Sequence, residues 1–206
     1  MRYFLIAALF MCFFSCQPKT ESVEDFTVEV KKPRTIVTTD GEIDDVDSFI
    51  RMLLYANEFQ IEGLIYSSSM WHYKGDGKGT LFTSEMEMTK NMYGAKTDLR
   101  WPGVEWMNPL LDAYEAVYPN LSQHAEGFPT ADYLRSVVKV GNIDFEGEME
   151  VDTEGSDYIK AKLLDEDMEP IYLQVWGGTN TIARALKSIE DQYKGTPEWK
   201  SIYQKV

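Results

Sequence analysis

A chain of 206 residues, 44% hydrophobic and 13% aromatic, can bury one sizeable core, which excludes a disordered chain and makes one folded unit the expectation. Its formal net charge of −14 argues against nucleic acid or an anionic membrane surface as a partner. Both cysteines, Cys12 and Cys16, lie near the amino end, so the rest of the chain has no thiol for a disulfide, a zinc cluster or a nucleophile.

Met1-Arg2 and the apolar run from Tyr3 to Phe14 form a positive n-region and an h-region too short for a stable bilayer span, the pattern of a secretory signal. Phe13-Phe14-Ser15-Cys16 then sets a small residue before a cysteine. This resembles the lipobox of bacterial lipoproteins and implies a mature protein that begins at a lipidated Cys16. The rival is an ordinary cleaved signal, but no A-x-A-like site follows to support it. Either way the chain is exported. The lipid reading anchors it to the bacterial cell envelope, at the outer membrane on its periplasmic or surface side, with the lipid as the sole membrane contact. Residues 1–16 are the expected signal peptide, and the polar, charged residues 17–33 read as a tether to a domain spanning 34–206.

Thr35-Ile36-Val37-Thr38-Thr39 is short and β-branched, and reads as a buried first strand. From Asp44 to Asn57, Val46, Phe49, Ile50, Leu53 and Leu54 recur at helical spacing, with Asp44 and Asp45 in the first turn, where carboxylates cap free N–H groups. Ile61 to Tyr66 makes a second strand, and the βαβ unit so formed implies a parallel sheet. A glycine-rich loop, Ser67 to Thr80, leaves that strand. Helical patterns follow at Leu81 to Tyr93, Pro109 to Val117, Thr130 to Val140 and about Ser156 to Leu164, with an acidic loop from Gly141 to Gly155 before the last of them. Pro170 to Trp176 is a third strand, which Gly177-Gly178-Thr179-Asn180 turns into a helix carrying Ile182, Ala185, Leu186 and Ile189. The expected class is α/β, an open and mostly parallel sheet with helices on both faces. Three strands before Val206 are few for such a sheet, so the domain reads as incomplete.

Asp40-Gly41-Glu42-Ile43-Asp44-Asp45 lies between the carboxyl end of a strand and the amino end of a helix, where open parallel sheets bind their ligands. Carboxylates crowded there raise one another's pKa, and a divalent cation keeps them ionised together; oxygen ligands indicate Ca²⁺ or Mg²⁺. An EF-hand loop fits Asp40, Glu42 and Asp44, but fails at Asp45, where glycine is needed, and at Arg51, where the bidentate acid belongs. The plain alternative is that Asp44 and Asp45 only cap a helix while Asp40 caps the turn.

Thr38 to Asp45 resembles the D-T-D-P-G-I-D-D signature of nucleoside hydrolases, and Trp176-Gly177-Gly178-Thr179-Asn180 is similar to their later G-G-L-T-N turn. The stretches Trp71-His72-Tyr73-Lys74, Tyr133 to Asn142 and Glu154-Gly155-Ser156-Asp157 are closer to a secreted branch, the cellulose-binding proteins with a nucleoside-hydrolase-like domain. The resemblance implies a nucleoside-hydrolase-like fold, a Ca²⁺ ion, and hydrolysis of N-glycosyl or related glycosidic bonds. It casts Asp40 as calcium ligand and as base toward the attacking water, Asp45 and the main chain of Trp176 as further ligands, and Asp44 and Asn180 as sugar contacts. The implied partner is a nucleoside or another glycoside or polysaccharide, and assembly into a homo-oligomer stays open. A carbohydrate-binding domain that keeps the fold without turnover is the alternative. The family's later His-Asp pair has no counterpart before Val206, so the chain reads as the amino-terminal part of a full catalytic domain.

Trp71 and Trp176 share the expected ligand edge and could stack on sugar rings. His72 and His124 have no partner at triad or zinc spacing and read as surface or loop histidines. Gly75 to Thr80 lacks the spacing of a phosphate loop, and Asp152, Glu154 and Asp157 read as a solvated acidic run.

Overall fold

The computed structural model describes residues 31–205; the expected signal peptide, Cys16 and most of the tether lie outside them. Four strands, β1 (Arg34–Thr39), β2 (Gln60–Tyr66), β3 (Val138–Val140) and β4 (Ile171–Val175), form one sheet of order β3-β2-β1-β4. Every pairing is parallel, with Val37 beside both Leu64 and Gln174. The open parallel sheet expected from the βαβ pattern is therefore present, one strand richer.

Strand alternation divides the core in two. Val37, Leu64 and Tyr66 pack on one face with Phe49 and Met52 of helix α1 (Ile43–Leu54), Met107 and Leu111 of α3 (Met107–His124), and Leu134 of α4 (Ala131–Ser136). Ile36, Ile65 and Ile171 pack on the other with Ile159 and Leu163 of α5 (Glu154–Leu163) and Ile182, Ala185 and Ile189 of α6 (Asn180–Tyr193). Two-sided burial leaves every residue of β1 buried, which suits its β-branched run Thr35 to Thr39. The short helices α2 (Glu87–Tyr93) and α7 (Trp199–Ile202) complete the described elements, apart from single 3₁₀ turns.

Two expectations change. The helix expected to reach Val140 stops at Ser136, and Val138-Lys139-Val140 pairs with Leu64-Ile65-Tyr66, because β-branched residues suit a strand once an edge is offered. Helix α2 begins only at Glu87; before it Phe82 makes an antiparallel bridge to Lys96. The acidic run Asp152, Glu154 and Asp157 is exposed as expected, and Asp152 also accepts from Ser188 at 2.6 Å and from Arg184 at 2.7 Å.

The amino ends of the strands are closed by a buried ion network. The Arg34 guanidinium donates to both oxygens of Glu62, at 2.6 and 2.9 Å, and also to Asp165, which Lys205 contacts from the other side. Each buried charge there has an opposite partner, as burial requires. The carboxyl ends are built differently.

Candidate functional site

β1 ends at Thr39 and α1 starts at Ile43, so Asp40-Gly41-Glu42 is the whole connection and sits at the carboxyl edge of a central strand. Gly41 has φ +77°, and a Cβ there would lie 2.6 Å from both Pro102 Cγ and Trp106 Nε1. Glycine thus admits the turn and lets the segment before α3 close over it.

Asp40 and Asp45 are buried, at 2% and 3% exposure. Asp45 Oδ2 accepts from the Thr39 hydroxyl at 2.5 Å and from the backbone N–H groups of Asp40 and Gly41 at 3.1 and 3.3 Å. Its carboxyl therefore braces the turn behind it rather than capping α1, whose N-cap Glu42 makes no side-chain cap bond. Asp40 Oδ1 accepts from the Glu42 N–H at 3.3 Å.

His72 corrects the sequence reading most directly. It is 4% exposed, not a surface histidine, and its Nδ1 lies 3.5 Å from Asp40 Oδ2 and 3.9 Å from Glu42 Oε2. Neither distance is a hydrogen bond, and this buried nitrogen has no partner. The ring is delivered by a compact turn after β2, in which the Ser69 N–H donates to the His72 carbonyl at 2.9 Å and the Trp71 N–H to Ser69 Oγ at 3.0 Å. Asp40, Glu42 and His72 bring one ligand atom each within 4.8 Å of one another. Among the described residues, no other group of three acids, histidines or cysteines does so. Arg100, held at φ +46°, places Nη2 3.7 Å from Glu42 Oε1. A non-glycine residue in that conformation marks stored strain beside the turn.

Burial, reinforced by the Asp40 carboxylate, pushes Asp45 up to about 7 against the opposing Thr39 hydroxyl. Burial would raise Asp40 as well, but the His72 ring and the Ser69 hydroxyl outweigh it and hold Asp40 below the ordinary carboxylate value. The turn therefore contains one ionised acid and one that readily keeps its proton, the split that acid–base sites exploit.

The other expected residues are placed unequally. Asp44 is exposed on the first turn of α1. Trp71, half-buried, meets Tyr93 edge to face at 6.3 Å. The main chain at Trp176 runs against the turn: its N–H donates to the Thr38 carbonyl at 2.9 Å, and a Cβ on Gly177 would lie 2.5 Å from Asp40 Cγ. The Trp176 ring, however, lines a separate cavity of about 300 Å³ with Met52, Tyr55, Phe59 and Gln174. Asn180 is a correction. It is 2% exposed, and its amide donates to Ser68 Oγ and the Asn142 carbonyl, both at 2.9 Å, while its oxygen accepts from Ser67 Oγ at 2.7 Å. Its hydrogen-bonding groups tie loops together and leave no N–H for a sugar. Glu42 and His72 are the residues gathered beside Asp40 that sequence reasoning did not assign to the site. The signal available was a histidine just beyond a strand's carboxyl end.

An open parallel sheet with an acid-rich turn at the carboxyl end of a central strand makes this an α/β domain, and that edge is where such sheets bind their ligands. Residues 34–206 match the family described as cellulose-binding Sde182, nucleoside hydrolase-like domain, and the chain belongs to that family. It is also similar to a solved structure, a nucleoside hydrolase-related protein from Saccharophagus degradans that is associated with carbohydrate metabolism, at 29% identity and a TM-score of 0.67. That likeness covers 85% of this chain and 37% of the other. Comparison with curated proteins gave no match.

Proposed function

We propose that the domain acts on carbohydrate outside the cytoplasm, tethered through Cys16, and hydrolyses an N-glycosyl or related glycosidic bond at the acidic turn, with Asp40 as base. The observation that carries this is a buried Asp40 carboxylate kept ionised beside an unpartnered His72 nitrogen, at the sheet edge where ligands bind. The description of the family to which the chain belongs, cellulose-binding and nucleoside hydrolase-like, supports a carbohydrate as the ligand.

The donor set fits a divalent cation: carboxylates of Asp40, Asp45 and Glu42 crowd one turn, the main chain of Trp176 and Gly177 presses on it, and Asp45 ionises with difficulty without added positive charge. Ca²⁺ is the ion the family resemblance implies; when bound it supplies positive charge to the turn and orients sugar hydroxyls. The chain's own groups do the rest. Asp40 accepts a proton from the water whose oxygen bonds to the glycosyl carbon as the bond to the leaving group breaks, the leaving group taking its proton from solvent. Thr39 with the Asp40 and Gly41 N–H groups fixes Asp45 behind it. Asp44, at the rim, is free to meet hydroxyls, and Trp71 offers a ring face for stacking.

Release of free sugar from a panel of nucleosides and cello-oligosaccharides tests this. Asp40→Asn is expected to lower the rate by about 100-fold or more. A rate equal to the unaltered chain's removes Asp40 as base. A second reading, a polysaccharide binder without turnover, is favoured by the exposed Leu81, Met86, Met88 and Met92, which lead into the Tyr93 that contacts Trp71. Retention on cellulose with no sugar released from any member of the panel selects that reading.

A further inference from the structure

One of the three donors gathered at the acidic turn is the His72 nitrogen, and calcium is a poor match for it. Calcium takes six to eight oxygens at about 2.3–2.6 Å, whereas imidazole suits zinc and its transition-metal neighbours. A zinc-type ion binds nitrogen and carboxylate oxygen at about 2.0–2.2 Å, which spaces adjacent ligand atoms of a tetrahedron roughly 3.3–3.6 Å apart. His72 Nδ1 stands 3.5 Å from Asp40 Oδ2 and 3.9 Å from Glu42 Oε2. Those separations are too long for hydrogen bonds and close to what two ligands of one small ion require.

A second observation is the state of the ring nitrogen itself. His72 is 4% exposed, yet its Nδ1 has no hydrogen-bond partner. A buried polar atom left bare carries a desolvation cost that native folds avoid unless an ion or ligand completes it. The turn Ser69–His72 is closed by the Ser69 N–H to His72 carbonyl bond at 2.9 Å, so the ring is held toward Asp40 by its own backbone. The nearest competing cation is Arg100, 3.7 Å from the other Glu42 oxygen and about half exposed, which leaves Glu42 Oε2 for an ion.

We propose that Asp40, Glu42 and His72 form a three-ligand site for a zinc-type divalent transition cation, with the remaining coordination position open to water or a sugar hydroxyl. This rests on the reading that the acidic turn holds a cation, and it replaces the oxygen-only ligand set with one in which His72 sets the choice of metal. Asp45 then braces the turn through Thr39 and the backbone and is not a ligand.

The test is metal binding by the full chain in detergent, stripped with EDTA and titrated with Zn²⁺, Ca²⁺ and Co²⁺ with no carbohydrate present. One Zn²⁺ per chain is expected, bound at least about tenfold more tightly than Ca²⁺, and Co²⁺ is expected to show the visible ligand-field bands of a site with fewer than six ligands. His72→Gln and Glu42→Gln are each expected to weaken Zn²⁺ by about tenfold or more and to abolish the Co²⁺ bands, with circular dichroism unchanged. If His72→Gln loses its fold, His72→Asn and the Co²⁺ spectrum of the unaltered chain decide instead. Tighter binding of Ca²⁺, Zn²⁺ affinity indifferent to His72 and Glu42, or no ion bound at all overturns the proposal. Since sugar release is not read, loss of hydrolysis and loss of this metal site remain separate results.

Discussion

The two strand-to-helix turns at the carboxyl edge, 40–42 after β1 and 176–179 after β4, start from similar material and end in opposite states. Around the second, polar groups are spent: Asn180 bonds to Ser67, Ser68 and Asn142, and Thr181 Oγ1 accepts from the Asn142 N–H at 2.8 Å. Around the first, they are left over: His72 Nδ1 and Trp106 Nε1 are buried without partners, and Asp45 titrates near neutrality. A scaffold turn minimises its own energy, whereas a ligand turn stores an unfavourable arrangement that its ligand relieves. On the function proposed above, the two neighbouring turns divide these duties between them.

That contrast is broken most forcefully at Gly178, where a Cβ would lie 1.6 Å from the Ser68 carbonyl oxygen, a backbone atom with nowhere to go. Gly178→Ala is expected to destabilise the fold by about 3 kcal/mol or more, read by urea denaturation. Asn180→Ala follows at about 2 kcal/mol, since it removes three buried hydrogen bonds, to Ser67 Oγ, Ser68 Oγ and the Asn142 carbonyl. A loss below about 0.5 kcal/mol in both variants would show that the second turn is not the scaffold described.

The first turn is expected to respond in the opposite direction. Asp45 titrates at about 7 in the folded chain, and near 4 when unfolded, as an ordinary aspartate does. As pH rises, the unfolded state therefore gives up this proton first. The stability conferred by the protonated Asp45 is fully present below about pH 4 and is lost as pH rises through 7. Asp40, with its lowered value, works in the reverse sense at lower pH, so the fall belongs to the window between about 4 and 7. Without metal, Asp45→Asn is expected to flatten that slope and to gain on the order of 2 kcal/mol at pH 7.5. A saturating divalent cation should flatten it in the unaltered chain. Melting temperatures measured across this range decide; a steep slope persisting in Asp45→Asn would assign it to another group.

Much of this architecture is legible along the chain because the determinants are local. Thr35 to Thr39 can hardly be other than a buried strand, and Asp40 follows it directly into a helix with apolar spacing, so the turn's place at the sheet edge follows from order alone. What is not legible depends on distant partners. His72 looks like any loop histidine until the Ser69–His72 turn folds it onto Asp40, 32 positions earlier in the chain. Asn180 sits where a motif suggests a sugar contact, but Ser67 and Ser68, more than 100 residues away in sequence, claim its amide. Val138 to Val140 is too short to declare itself as a strand until β2 offers an edge.

The two tryptophans carry the same contrast to its smallest expected effect. Trp71 stands one residue before His72, half-buried, with the Tyr93 ring nearly perpendicular to its own at 6.3 Å. The Trp176 ring belongs to the cavity with Met52, Tyr55 and Phe59, and only its main chain approaches Asp40. Ring–sugar stacking of about 1 kcal/mol would make Trp71→Ala bind cello-oligosaccharides roughly fivefold more weakly. Trp176→Ala keeps its carbonyl and is expected to bind as the unaltered chain does. Calorimetric titration of both variants at one pH and one metal concentration compares them directly. Equal losses would mean that the ligand spans both turns, and the separation of a site turn from a scaffold turn would have to be given up.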